Sequence, residues 1–180
     1  MIVPVSSQPV SLLPLSLEYH VAALQAVYSA TPSYWQMYNR ANSPADQAER
    51  DLRAVAETSG RYLLGIVRRV IADDASAGAT LIGFIDFRLH WPAPDAVYVG
   101  LLMVAEPYQR QGIARQAWQL LEPWLTESAQ MHKARLGVEQ FNPHALQFFQ
   151  QIGFALTGDA ERIKVGDKFV RLLYMEKVYR

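Results

Sequence analysis

Cysteine is absent from this chain, which excludes a disulfide framework, a thiolate metal site and a cysteine nucleophile, and permits a reducing compartment. Net charge is absent too. With 17 Lys and Arg set against 17 Asp and Glu in 180 residues, no global field draws nucleic acid or an anionic membrane surface. No apolar run reaches the length of a bilayer span, and Met1-Ile2-Val3-Pro4-Val5 lacks the basic flank of a secretory signal. The expectation is a cytoplasmic protein with neither nucleic acid nor a membrane as partner, and a monomer or homodimer. Repeats and low-complexity tracts are missing as well, so residues 1–180 read as one domain, long enough for a real core.

Several catalytic vocabularies are also missing. The chain contains no G-x-S-x-G, no H-E-x-x-H and no G-x-G-x-x-G. Gly153 and Gly158 have the separation of a P-loop, but Asp159 stands where that loop needs lysine to reach phosphate. His20, His90, His132 and His144 show no metal-ligand spacing, so no metal is expected.

What is present is a clear alternation of strand and helix patterns. Residues 10–17 read as a strand edged by Pro14, and 19–29 as a helix with Val21, Leu24, Val27 and Tyr28 on its apolar side. Thr31-Pro32-Ser33 breaks that helix, and the aromatic run Tyr34-Trp35-Gln36-Met37-Tyr38 connects it to the next. Ser43-Pro44 pairs an N-cap residue with proline at the first helical position, predicting a helix to about residue 58. Residues 62–70, 80–90 and 97–104 form an antiparallel meander of strands. From Arg110 a helix carries Ile113, Ala117, Leu120, Leu121 and Trp124 on one side, with Pro123 expected to kink rather than end it. A strand over 134–141, a helix over 143–152 capped by Asn142, and a hairpin from 154 turned at Gly166-Asp167 complete a mixed α/β order.

The strongest motif lies between the 97–104 strand and the helix that follows it. Gln109-Arg110-Gln111-Gly112-Ile113-Ala114 opens that helix, where the first backbone N–H groups lack intrahelical partners and the helix dipole favours an anion. Gly112 lets a phosphate come close to the backbone. The pattern [Gln/Arg]-x-x-Gly-x-[Gly/Ala], with Asn142-Pro143 and the apolar helix after it 28 residues beyond Ala114, resembles the GNAT superfamily of N-acetyltransferases. The likeness covers roughly residues 62–178 and is strongest over 97–154.

The resemblance implies a mixed α+β acetyltransferase fold: a mostly antiparallel sheet flanked by helices and splayed between its fourth and fifth strands to admit an acyl thioester. It implies acetyl-CoA as cosubstrate and a small amine or peptide amine as acceptor. Cofactor contacts are then expected at Gln109, Arg110, Gln111, Gly112, Ile113, Ala114 and Arg115. They are expected as well at the strand backbone of Leu102, Met103 and Val104, and at Asn142 and Phe149. The backbone of the strand end at 102–104 would pair with the pantetheine arm, and one of its N–H groups would polarise the acetyl carbonyl. Tyr34, Trp35 and Tyr98 are expected near the acceptor.

The chain departs from the family pattern at two positions. Phe149 stands where many relatives have a tyrosine whose hydroxyl protonates the departing thiolate, and phenylalanine has no such proton. Tyr98 stands where some relatives carry a glutamate base, and 97–104 holds no carboxylate. Asp86 on the neighbouring strand and Glu139 beside the expected splay are the candidate bases. The reading is an acetyl-CoA-dependent N-acetyltransferase using direct attack in a ternary complex; the alternative is a non-catalytic acyl-CoA-binding or regulatory module.

Overall fold

Side chains alternate across a strand, so the apolar runs of this chain divide between two faces of one sheet. The computed structural model describes residues 10–70, 78–165 and 168–179. The elements are β1 (Val10–Pro14), α1 (Val21–Ser29), α2 (Pro32–Met37), α3 (Gln47–Glu57), β2 (Arg61–Val70), β3 (Gly78–Leu89) and β4 (Ala96–Val104). They continue with α4 (Ile113–Pro123), β5 (Lys133–Glu139), α5 (Pro143–Gln151), β6 (Ala155–Val165) and β7 (Lys168–Val178). The strands form one sheet in the order β1-β2-β3-β4-β5-β7-β6.

On one face Leu63, Phe84 and Met103 pack with Leu24, Tyr28, Trp35 and Leu52 of the first three helices. On the other, Ile66, Ile85, Phe87, Val97 and Val99 meet Ile113, Ala117, Trp118 and Leu121 of α4 and Phe149 of α5. Because both faces are covered, β3 and β4 are apolar almost throughout rather than alternating. Truncating Trp118 to alanine in such a core costs about 3–5 kcal/mol.

One pairing differs from the rest. β4 and β5 are parallel, joined by the crossover through α4, and their register runs only from Ala96 opposite Lys133 to Val99 opposite Leu136. Beyond that point β4 continues to Val104 with β3 alone, and β5 continues to Glu139 with β7 alone. The mixed sheet therefore splays between its fourth and fifth strands, as expected, leaving one backbone edge of β4 open.

Several boundaries differ from the sequence reading, each for a physical reason. Pro32 opens the short helix α2 as well as ending the preceding one, because its fixed φ suits a first helical turn; the aromatic connection is therefore helical. Ser43-Pro44 does not start α3, which begins at Gln47. The Ser43 hydroxyl accepts from Gln25 Nε2 at 3.2 Å and the Pro44 carbonyl accepts from the same nitrogen at 2.9 Å, so a tertiary contact takes the cap. α4 begins at Ile113 rather than Arg110, because Arg110 (φ 62°) and Gly112 (φ 76°) are left-handed. The chain carries on past Pro123 as a π-helical turn over Trp124–Ser128, which absorbs the missing donor. β1 and β5 end earlier than expected, at Pro14 and Glu139. The turn at Gly166-Asp167 lies outside the described residues, although Val165 pairs with Lys168 across it.

Candidate active site

The loop between β4 and α4 is held by its own glutamines. Gln109 Nε2 donates to the Val104 carbonyl at 2.8 Å, and Gln111 Nε2 donates to the Pro107 carbonyl at 3.0 Å while its oxygen accepts from Arg68 at 3.2 Å. A Cβ at Gly112 would meet nothing within 4 Å, so the left-handed φ, not crowding, calls for glycine. The first turn of α4 then opens onto a groove of about 490 Å³. Leu102 and Val104 line it from β4, Gln109, Arg110 and Gly112 from the loop, Ile113, Ala114 and Arg115 from α4, and Phe148 and Phe149 from α5. Arg115 reaches across to Gln151 at the end of α5, 3.3 Å from its Oε1.

Three expected cofactor residues sit outside this lining. Met103 points to the opposite face and is buried in the core beneath the first helices, so any part it plays is through its backbone. Gln111 braces the loop, and Asn142 caps α5 by accepting from the Ala145 N–H at 3.2 Å. Phe149 is buried, packed edge-on against Phe148 and Phe154.

A second cavity, also about 490 Å³, lies on the other face. Tyr34, Trp35 and Tyr38 from α2 and its end form an aromatic wall with Tyr28; Gly100 and Leu101 of β4 line it too. Trp35 is fixed by donating its indole N–H to the Tyr28 carbonyl at 2.9 Å. Asp86, 9% exposed, is gripped by a fork from Arg61, Nε to Oδ1 at 3.0 Å and Nη2 to Oδ2 at 2.5 Å. Asp51 accepts from the Tyr28 hydroxyl at 2.5 Å and from Gln47 Nε2 at 2.8 Å. Glu139 reaches this group by accepting a hydrogen bond from the Tyr38 hydroxyl. Burial first, and then the Glu139 charge, pushes Tyr34 up to about 12; burial and the bond to Glu139 raise Tyr38 further. Both phenols therefore keep their protons at neutral pH and act as hydrogen-bond donors.

Tyr98 stands apart from both linings. Its ring packs edge-on against Trp91, centroids 4.6 Å apart, and burial raises its pKa, with nearby Arg135 opposing. Arg40, Arg50, Asp51, Arg61 and Tyr28 line the cavity without having been singled out from sequence. Arg61 meets Asp86 only through the β2–β3 register, which sets Leu63 opposite Asp86, and no local pattern announces that.

The two openings are divided by the end of β4. Past its last pair with β5, Gly100 and Leu101 line the aromatic cavity while Leu102 and Val104 line the groove. One unpaired strand edge thus serves both. Among the described residues no group of three His, Asp or Glu side chains is placed to hold a metal, and no helix is long and apolar enough to cross a membrane.

A groove at a left-handed turn and helix start, beside a splayed mixed sheet, is the layout of an acyl-CoA-dependent transferase. Residues 24–154 match the acetyltransferase (GNAT) family, and the chain belongs to that family. Solved structures agree on the fold. An acetyltransferase from Thermus thermophilus is 21% identical, with 94% of this chain and 97% of that one covered and a TM-score of 0.71. A probable GNAT-family acetyltransferase from Chromobacterium violaceum is 19% identical, with 96% and 88% covered and a TM-score of 0.73. A spermidine N-acetyltransferase from Vibrio cholerae, solved with CoA and spermine, is 15% identical, with 94% and 95% covered and a TM-score of 0.69. No curated protein matches the chain by sequence.

Proposed function

We propose that the chain is a single N-acetyltransferase domain, residues 1–180, which moves an acetyl group from acetyl-CoA to a primary amine within a ternary complex. The observation that carries this reading is the shared end of β4, whose consecutive residues line a phosphate-suited groove and an aromatic cavity. Acetyl-CoA supplies the acetyl group as a thioester. The first turn of α4 receives its phosphates, and the open β4 edge at 102–104 pairs with its arm and offers an N–H to the acetyl oxygen. A cytoplasmic setting, where that cosubstrate is made and used, goes with this reading.

Chemically, a bond forms between the amine nitrogen and the acetyl carbon as the carbon–sulfur bond breaks. Of the two candidate bases, Glu139 is the one we assign to the nitrogen's proton, because both Asp86 oxygens are engaged by Arg61. Tyr38 orients the Glu139 carboxylate. The leaving sulfur departs as thiolate and takes its proton from water, since a thiol of pKa near ~8.5 is a tolerable leaving group without an enzymic acid. Phe149 then needs no hydroxyl.

Acetyl-CoA at about 100 times its Kd is expected to stabilise the fold by roughly 2.7 kcal/mol, read as a rise in Tm. Glu139→Gln should keep that rise and lose about a hundredfold or more in kcat in a CoA-release assay with a panel of amines. No rise in Tm would overturn the cofactor assignment. A rise in Tm with no thiol released for any amine would identify an acyl-CoA-binding module instead, a reading favoured by the missing hydroxyl at Phe149.

A further inference from the structure

Resting on the reading of the aromatic cavity as an acceptor site, we infer that its substrate is an amine that also carries a carboxylate, the α-amino acid pattern, and that Arg40 and Arg50 select it. Charge at the cavity wall is unequal. Three guanidinium groups, Arg40, Arg50 and Arg61, face two carboxylates, Asp51 and Asp86. Both carboxylates are already engaged, Asp86 by the Arg61 fork and Asp51 by Tyr28 and Gln47. Asp86 has no oxygen left for a second ammonium group, and Asp51 offers Oδ1 alone, since Tyr28 and Gln47 both bond its Oδ2.

The remaining cations are less well matched. Arg50 has the exposed Asp46 at 3.3 Å and Gln47 Oε1 at 3.0 Å, a surface pair worth little. Arg40 has no acidic partner among the described residues, and its backbone is anchored: Asn39 is left-handed at φ 56° and the Arg40 N–H donates to the Trp35 carbonyl at 3.0 Å. The cavity is thus bipolar. Glu139, reached through Tyr38, is the carboxylate available to take the proton of the neutral reacting amine, and Arg40 with Arg50 is the pair of cations available to an anion. A polyamine brings further positive charge against those arginines, whereas a carboxylate is met by guanidinium donors. The transfer step is unchanged: the amine nitrogen gains the acetyl group, Glu139 takes its proton and the thiolate leaves.

Steady-state acetylation of matched pairs tests this: phenylalanine against phenethylamine, leucine against 3-methylbutylamine, with spermidine as a third class. The amino acids are expected to exceed their decarboxylated partners by about tenfold in kcat/KM, mostly through KM, because exposed arginines act through water. That preference should shrink as salt is raised toward about 0.5 M. In the Arg40→Gln/Arg50→Gln protein the ratio should fall toward about one, and Arg40→Lys should retain part of it. Better turnover of spermidine or the decarboxylated amines by the unaltered protein, or an unchanged ratio in the folded double variant, overturns the inference and leaves N-acetyl transfer standing. Absence of acetylation for every amine, with the acetyl-CoA rise in Tm intact, overturns the transferase reading and this inference together.

Discussion

The groove and the cavity have the same volume, about 490 Å³, yet they are built by different means. The groove is organised by local backbone features, a left-handed Gly112, the first turn of α4 and the open edge of β4, with apolar side chains along it. The cavity is mostly side chain, assembled from α1, α2, α3, β2, β3 and β4 and tied by Tyr28 to Asp51, Arg61 to Asp86 and Tyr38 to Glu139. Backbone construction suits a partner with an invariant part, such as a phosphate or pantetheine arm. Side-chain construction lets the proposed acceptor half change without disturbing the half proposed for the cofactor.

A change on the groove side should strike binding hardest. Gly112→Glu sets a carboxylate against phosphate and is expected to weaken CoA binding about a hundredfold or more, roughly 2.8 kcal/mol, by calorimetric titration. The left-handed φ of 76° adds a folding cost of about 1 kcal/mol that Gly112→Ala shares. Unchanged affinity in folded Gly112→Glu would remove the phosphate site from the groove.

On the cavity side, stability should suffer while the groove survives. Arg61→Gln strips the fork from a nearly buried Asp86, an uncompensated charge that is expected to cost about 3 kcal/mol in denaturant unfolding. CoA affinity of the folded fraction should stay within about twofold, since the sites are separated by the end of β4. A large loss of CoA affinity would show that the two halves are not independent.

The smallest effect is expected at Phe149→Tyr. The ring keeps its place against Phe148 and Phe154 and gains a proton donor in the groove. If the thiolate leaves unaided, turnover should change by less than about tenfold, or ~1.4 kcal/mol of barrier. A larger gain that vanishes as pH passes about 10 would show that sulfur protonation limits the reaction.

The split between groove and cavity also marks what was legible in the chain. The alternation of apolar residues specified the order of the strands and of the α-helices other than α2, and Gln109 to Ala114 marked the turn before α4, because a glycine before a helix is a local, contiguous signal. The splay between β4 and β5 was legible only through resemblance, and their parallel pairing was not read from the sequence at all. Ser43-Pro44 shows how a correct local rule loses: the capping hydroxyl is engaged by Gln25 from α1, a partner eighteen residues away. Asp86 was readable as an acid on a strand, but not as one held by Arg61, because the β2–β3 register decides which side chains stand together.

By itself, then, the sequence determined the strands, the helices other than α2, their order and the place of the turn at Gly112, all of which depend on neighbours within a turn or a strand length. The tertiary structure alone decided that Asp86 is paired with Arg61, that Tyr38 meets Glu139 and that Arg40 stands at the cavity without an acidic partner among the described residues. Such pairings join positions tens of residues apart through packing and register, and a charge acquires its chemical role only from what is packed against it.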